Sequence, residues 1–262
     1  MSRHEKTHLN QLLRSWPANT VWLSSKLNEQ GISRKLVHYY SRSGWIEKIG
    51  YGAYKRAGDK VGWPAGLQAI QEQAKLPIHL GGKSALQFQG FAHFIPMGKN
   101  FDILLYSARH YLLPTWFKYY AWQSNIVYLR TNLFGSKEGE GIQNLEVDNI
   151  SLKVSSPERA ILEMLYLVPK HQSYEEAHEI MGSLTNLRPE LMQNLLENCC
   201  SVKVKRLFMV VARSYHYPWF DKINKTKIDF GSGKRELVKG GVLDPEYQIT
   251  IPIDDSKRNI EV

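Results

Sequence analysis

The stretch ISRKLVHYYSRSGWIEKIGYGAYKR, residues 32–56, decides the fold of the first part of the chain. Ser33 is a typical N-cap residue, and the apolar residues after it recur at helical spacing. Two strand-like runs follow, at 45–49 and 53–56, and a Gly-Tyr-Gly turn joins them. Its glycines allow the positive φ angles of a tight hairpin. The stretch therefore predicts a short helix followed by a β-hairpin.

The residues before this stretch predict two more helices. A first helix ends at Pro17, and one stripe of it contains Leu9, Leu12, Leu13 and Trp16. A second helix takes Thr20 as its N-cap, ends at Gly31 and buries Leu23 and Leu27. A short glycine turn separates it from the third helix, which is the pattern of a helix-turn-helix, and the hairpin adds a wing.

The third helix separates its charges from its core face. On a helical wheel, Leu36, Val37 and Tyr40 form the core stripe, and the basic residues point away from it. No acidic residue interrupts them, which favours insertion into a DNA major groove over a merely solvated face. Tyr39 suits stacking and plain packing equally. The predicted DNA contacts are Ser33, Arg34, Lys35, His38, Tyr39 and Arg42 in the helix and Lys48, Tyr51, Lys55 and Arg56 in the wing.

The distribution of charge supports this interpretation. Residues 1–60 contain 11 Lys or Arg and four Asp or Glu, whereas the other 202 residues contain 23 and 21. Most of the net charge of +9 therefore lies in less than a quarter of the chain. Such asymmetry is expected of a phosphate-binding segment attached to a nearly neutral domain.

The rest of the chain predicts an α+β domain that is larger than the winged helix. Strand patterns occur at 101–107, 125–130 and 145–155, and helix patterns follow at 157–168, 174–184, 189–200 and 202–214. Strands first and helices afterwards indicate a mixed α/β architecture of the α+β class. The predicted organisation is a winged helix-turn-helix at 1–60, an α+β domain at 61–255 and a tail at 256–262.

Several classes of protein are not expected. No stretch is apolar over the roughly 20 residues that a membrane helix needs, and the N-terminus has no signal-peptide core, so we expect a cytoplasmic protein without membrane contacts. The adjacent Cys199 and Cys200 have no partners for a zinc site or a disulfide, and we expect them to be buried in a helix. The nine histidines are scattered. We expect no metal and no cofactor.

Two long segments together resemble a known family. GISRKLVHYYSRSGWIEKIGYGAYKR at 31–56, and VKVKRLFMVVARSYHYPWF with KIDFGSGKRELVKGGVLDPEYQITIP at 202–252, are similar to the AbiEi antitoxins of type IV toxin–antitoxin and abortive-infection systems. The resemblance implies a protein without enzymatic activity that represses its own operon at inverted repeats of double-stranded DNA. It also implies that the second domain counters a toxin resembling a nucleotidyltransferase. The wing tip departs from the family, since Tyr51 stands where a basic residue is common.

The second domain carries a candidate surface for the antitoxin function. In a helix beginning at Val202, Lys203 and Arg206 share a face away from the apolar residues, and two more basic residues follow in a later loop. This cluster would meet an acidic partner or nucleic acid, and a solvated face is the alternative. Its members are Lys203, Lys205, Arg206, Lys234 and Arg235.

An enzyme is the alternative function. Gly231-Ser232-Gly233-Lys234-Arg235 fails as a phosphate-binding loop, because the motif requires Gly at Ile228 and Ser or Thr at Arg235. A metal-dependent nucleotidyl- or phosphoryl-transfer site would use Glu146 and Asp148, paired on one strand. We predict no catalytic residue, but keep this alternative open.

Overall fold

The computed structural model describes residues 3–91, 102–135 and 137–252, with side chains from Leu9 onward. The backbone forms two compact units. Of the described residues, unit 1 contains 3–80, 102–130 and 144–153, and unit 2 contains 81–91, 131–135, 137–143 and 154–252. The predicted tail at 256–262 lies outside the described residues. The predicted domain boundary at residue 60 stays a prediction.

The beginning of unit 1 is the winged helix-turn-helix that the sequence predicted. Three helices precede a hairpin, and a short strand joins the hairpin to form a sheet of order β1-β3-β2. The elements are α1 (Arg3–Ser15), β1 (Trp22–Leu23), α2 (Ser24–Glu29), α3 (Arg34–Arg42), β2 (Ile46–Gly50) and β3 (Ala53–Arg56).

The predicted start of the second helix was wrong. α2 begins at Ser24 rather than after Thr20, and the Thr20 hydroxyl instead donates to the carbonyl of Pro17. Trp22 and Leu23 are extended because they pair with Tyr54 and Ala53 of the wing. This strand depends on residues 30 and 32 positions later, so local helix signals could not reveal it.

A small core holds the three helices and the wing together. The rings of Trp16 and Trp22 stack with centroids 4.7 Å apart and planes 9° from parallel. Leu27 and Tyr40 are fully buried beside them, together with the predicted core residues Leu9, Leu12 and Val37. Fully burying a large apolar side chain stabilises a fold by roughly 1.5–3 kcal/mol, so each of these contacts matters in a core this small.

The rest of unit 1 is built around a five-stranded sheet of order β6-β5-β4-β8-β7. α4 (Trp63–Gln68) leads through a π-helical turn (Ala69–Gln73) to β4 (His79–Leu80). β5 (Asp102–Ser107) and β6 (Asn125–Arg130) are parallel, and α6 (Thr115–Tyr119) lies in their connection. β7 (Ile142–Val147) and β8 (Ile150–Ser155) form the predicted hairpin, with positive φ at Asp148 and Asn149. These four longer strands confirm the sequence patterns.

The wing packs against parts of unit 1 that follow residue 60. A Cβ atom at Gly50 would lie 2.5 Å from Cβ and 2.7 Å from Cα of Trp116, so only glycine permits α6 to approach the hairpin this closely. The Gln73 side-chain amide accepts from the Leu23 amide and donates to the Val21 carbonyl, at 2.8 Å each. Residues 1–60 alone would lack both supports.

Unit 2 is mainly helical. Its helices are α5 (Gly82–Phe88), α7 (Pro157–Leu167), α8 (Tyr174–Ser183), α9 (Pro189–Asn198) and α10 (Val202–Arg213), and they share one apolar core. A small sheet of β9 (Arg235–Glu236), β10 (Val242–Asp244) and β11 (Ile249–Ile251) completes the unit. Cys199 is buried as expected, but both cysteines follow α9 rather than lie in it, and Cys200 is exposed.

A buried arginine fixes the end of unit 2. The Arg206 guanidinium, whose residue is 2% exposed, donates to four backbone carbonyls at 2.6–3.1 Å. These carbonyls belong to Phe230, Gly231, Gly233 and Gln248. Because one buried side chain donates to all four carbonyls, Arg206 holds residues 230–248 against α10.

We predict that Gly50→Ala destabilises the chain. The added methyl group collides with the backbone of Trp116, and overpacking of this kind costs about 1–3 kcal/mol. The midpoint of thermal unfolding, followed by circular dichroism, should fall. Gly139→Ala is the matched control because its Cβ meets no atom within 4 Å. Equal midpoints for the two variants would contradict the close packing at Gly50.

We also predict that Arg206→Met destabilises unit 2, on the order of 3 kcal/mol, because several carbonyls lose their donor. Arg235→Met removes an exposed arginine from the same unit and should leave the unfolding midpoint within a degree or two of the parent. If Arg206→Met and Arg235→Met have the same midpoint of thermal unfolding, the four hydrogen bonds do not stabilise this region.

Candidate nucleic-acid interface

The geometry of α3 agrees with the predicted wheel. Val37 and Tyr40 are buried, at 5% and 0% exposure, and Leu36 is partly buried. The predicted contact residues of the helix lie on the exposed side: Arg34, Lys35, His38, Tyr39 and Arg42. The helix therefore presents a cationic face without a single carboxylate among its residues.

Ser33 has a structural role in this arrangement. Its side chain caps α3 by accepting from the Leu36 amide at 3.3 Å. The cap holds the first turn of the helix, where Arg34 and Lys35 project. The Leu36 amide thus uses one of the two lone pairs of the hydroxyl oxygen, and the hydroxyl hydrogen remains able to donate to a ligand.

A concave groove of about 670 Å³ lies between α2, α3 and the wing. Cations enter it from two sides, Arg34 from α3 and Lys48 from β2. Hydroxyl and amide groups of α2 line the opposite wall, contributed by Ser24, Ser25 and Asn28. Guanidinium, ammonium and neutral hydrogen-bond donors around one open groove suit a phosphodiester.

The α2 residues of this groove were missed in the sequence. Ser24, Ser25 and Asn28 were placed inside a longer helix, where polar residues indicate only a solvated face. The one signal that could have found them is the pair of serines directly after Trp22 and Leu23, since serine is favoured at the start of a helix.

The wing tip exposes an aromatic side chain. Tyr51 lies between β2 and β3 and is 82% exposed, and Lys48 Nζ is 5.8 Å from its ring centroid. Such a pair combines a flat apolar surface with a positive charge. Both residues stand on the side of the hairpin that lines the groove.

The other two predicted wing residues are used within the chain. Lys55 Nζ lies 2.8 Å from Glu47 Oε2 and donates to the Asp59 carbonyl at 2.6 Å. Arg56 donates to the Trp16 carbonyl at 3.0 Å and lies 3.7 Å from Asp59 Oδ2. The hydrogen bond from Lys55 lowers the pKa of Glu47 below its usual value. Local acids and carbonyls therefore hold both cations, and the expectation that Lys55 and Arg56 flank a phosphate backbone stays a prediction.

The predicted antitoxin cluster does not form one exposed face. Arg206 is buried as described above, and Lys205 is only 4% exposed. Lys203 Nζ donates to the carbonyls of Tyr166 and Val168 at 2.8 and 2.6 Å, and burial lowers its pKa. Lys234 and Arg235 are exposed in and beside β9. The helical wheel placed Lys203 and Arg206 outside, but the end of α7 holds Lys203 and residues 230–248 cover Arg206.

The alternative transfer site loses its geometric basis. Glu146 lies on β7, whereas Asp148 is in the turn after it with φ of 51°, so the two carboxylates do not share a strand face. No group of three or more His, Cys, Asp or Glu side chains could hold a metal within residues 3–91, 102–135 and 137–252. In that same part of the chain, no helix is long and apolar enough to cross a membrane.

The Gly231–Arg235 loop also differs from a phosphate-binding loop in its polarity. Phosphate loops point backbone amides at the ligand. Here the carbonyls of Gly231 and Gly233 point inward to Arg206, and the Gly231 amide donates to Asp229 at 2.8 Å. The structure therefore agrees with the rejection of this motif.

Comparisons with known proteins bear on the whole chain. A family model described as "Transcriptional regulator, AbiEi antitoxin N-terminal domain" matches residues 5–97. A second, described as "Transcriptional regulator, AbiEi antitoxin, Type IV TA system", matches residues 100–252. A search of curated protein sequences gives no significant match.

Among solved structures, the fold is similar to that of the RV2827C protein from Mycobacterium tuberculosis. The TM-score is 0.59 at 15% sequence identity, over 95% of this chain and 92% of the other. At this identity the likeness concerns the fold alone. Together, the two family matches leave few described residues unassigned, and the chain belongs to the AbiEi family of transcriptional-regulator antitoxins of type IV toxin–antitoxin systems.

Proposed function

We propose that the protein represses its own operon by binding inverted repeats of double-stranded operator DNA through the winged helix. The observation that carries the proposal is the separation of charge on α3, with Val37 and Tyr40 buried and the cationic side exposed. Arg34 and Lys35 project from the first turn, where helices in the major groove reach base edges. The protein acts in the cytoplasm, where its operator lies.

The groove beside α3 supplies the contacts that position the helix. Arg34 and Lys48 are close enough to line the same groove, so one phosphate strand can pass between helix and wing. Ser24, Ser25 and Asn28 offer neutral donors to the same strand. Tyr51 at the exposed tip approaches the neighbouring minor groove as an aromatic side chain rather than a basic one.

We further propose that unit 2 carries the antitoxin function against a nucleotidyltransferase-like toxin, without catalysis by this chain. Membership of the AbiEi family supports an antitoxin role, and the second family match, over residues 100–252, includes helices α7 to α10 of unit 2. Of the predicted cluster, only Lys234 and Arg235 remain exposed, so they are the candidate contacts. An acidic surface, on the toxin or on its nucleic-acid substrate, is the complementary partner.

The DNA proposal predicts different effects for α3 and the wing. Arg34→Ala or Lys35→Ala should cost on the order of 1–3 kcal/mol on the operator and relax base preference, because base contacts are lost. Lys48→Ala should weaken operator and scrambled duplexes alike and lower the salt slope by about one. Fluorescence anisotropy on both duplexes at several salt concentrations measures each effect.

The matched control for this experiment is Lys75→Ala, which removes an exposed lysine from the same unit. Its binding should equal that of the parent. Equal affinity of the parent for operator and scrambled DNA at physiological salt would refute specific repression. A changed base preference in Lys48→Ala would show that the roles of helix and wing are assigned wrongly.

The antitoxin proposal predicts that Lys234→Glu with Arg235→Glu reduces protection of cells that express the cognate toxin, while repression of the promoter is retained. Lys137→Glu with Lys170→Glu makes the same charge change at exposed positions of unit 2 and should protect fully. Circular dichroism and thermal melting establish that both double variants are folded. Full protection by the Lys234/Arg235 variant would exclude these residues as the neutralising surface.

A further inference from the structure

The connection between β5 and β6 has the composition of a nucleic-acid contact, although it lies outside the winged helix. No Asp or Glu occurs from residue 103 to 137. Within it, the stretch 109–122 combines three basic or histidine side chains with aromatic ones, and Arg109, His110 and Lys118 are exposed. Cations interleaved with aromatic rings and without acids are typical of surfaces that follow a phosphate backbone.

Two unusually exposed apolar side chains belong to the same stretch. Tyr119 is 75% exposed and Leu112 is 67% exposed. Lys118 Nζ lies 5.3 Å from the Tyr119 ring centroid, which repeats the Lys48–Tyr51 pair of the wing tip. The inner side of α6 is accounted for, since Trp116 and Phe117 are buried. The outer side carries the lysine and the tyrosine.

The position of α6 connects this surface to the wing. Trp116 touches the backbone of Gly50, the residue directly before Tyr51. Residues three apart on a helix have Cβ atoms about 5–6 Å apart. The side chain of Tyr119 therefore starts about one helical turn from Trp116, the residue that contacts the wing tip. Two exposed lysine–tyrosine pairs therefore lie on neighbouring elements of one compact unit.

We propose that α6 is a second DNA-contacting element, which extends the interface beyond the wing along the backbone of the flanking duplex. This inference rests on the proposed function, since it uses the same DNA. Lys118, with Arg109 preceding it, provides charge for phosphates, and Tyr119 holds the lysine side chain through its ring. The contact is to the backbone, so it adds affinity and positioning without reading sequence.

The test uses one full-length double variant that carries both Arg109→Ala and Lys118→Ala. This variant is compared with the parent and with Lys153→Ala, which removes an exposed lysine on β8 of the sheet. Fluorescence anisotropy gives the slope of log K against log salt. The double variant should lower the slope by about two and weaken binding roughly tenfold or more at low salt, whereas Lys153→Ala should match the parent. Thermal melting confirms that each variant is folded.

Hydroxyl-radical footprinting on a duplex with long flanks shows where the contact lies. The parent should protect backbone positions beyond those covered by the wing, and the double variant should lose these alone. An unchanged slope and an unchanged footprint in the double variant would overturn the proposal. Because phosphate contacts carry no sequence information, the slope is also measured on scrambled DNA, which decides the role of α6 even if the parent shows no preference for its operator.

Discussion

The docking of α3 through Val37 and Tyr40 is the constraint on which the winged helix-turn-helix depends. A nine-residue helix is too short to be stable alone in water, so its apolar stripe must be buried for the helix to exist. Burial of that stripe fixes the rotation of the helix about its axis. Because the cations stand opposite the stripe, the contact that folds α3 also directs Arg34, Lys35 and His38 away from the protein. The rotation of α3 about its axis therefore determines both which residues stabilise the fold and which cations face solvent.

The sequence predicted those elements whose signals are local. The Ser33 cap, the apolar stripe of α3, the positive-φ turn at 148–149 and the four long helices after Pro157 all depend on residues within a few positions, and the structure confirms them. β1, in contrast, exists because Trp22 and Leu23 pair with residues of β3. α6 and the small sheet of β9, β10 and β11 are likewise short elements held by distant partners. No periodic pattern of apolar residues in their own sequence predicts them.

The site residues divide in the same way. Exposure of the α3 cations follows from the wheel, because no later part of the chain covers that face among the described residues. The wheel of α10 was equally regular, but residues 230–248 return over it and bury Arg206 under four carbonyls. Lys55 and Arg56 are taken by Glu47, Asp59 and the Trp16 carbonyl. A periodic pattern shows which residues share a face, and only tertiary structure shows what that face meets.

The net charge of a segment therefore indicates where cations for DNA binding are concentrated, but it does not show how many of them can contact phosphates. The excess of seven cations in residues 1–60 includes Lys55 and Arg56, which stabilise the hairpin, and omits Lys118, which lies in the nearly neutral remainder of the chain. A cation contributes to phosphate binding only if its charge is not already neutralised by a neighbour and its side chain remains in solvent. By that criterion the proposed interface extends from α3 through the groove with Lys48 to Lys118 of α6. The contact between Gly50 and Trp116 then has a second consequence. Besides supporting the wing, it sets the exposed lysine of α6 at a fixed place relative to Tyr51, which is the arrangement that the proposed DNA contact by α6 requires.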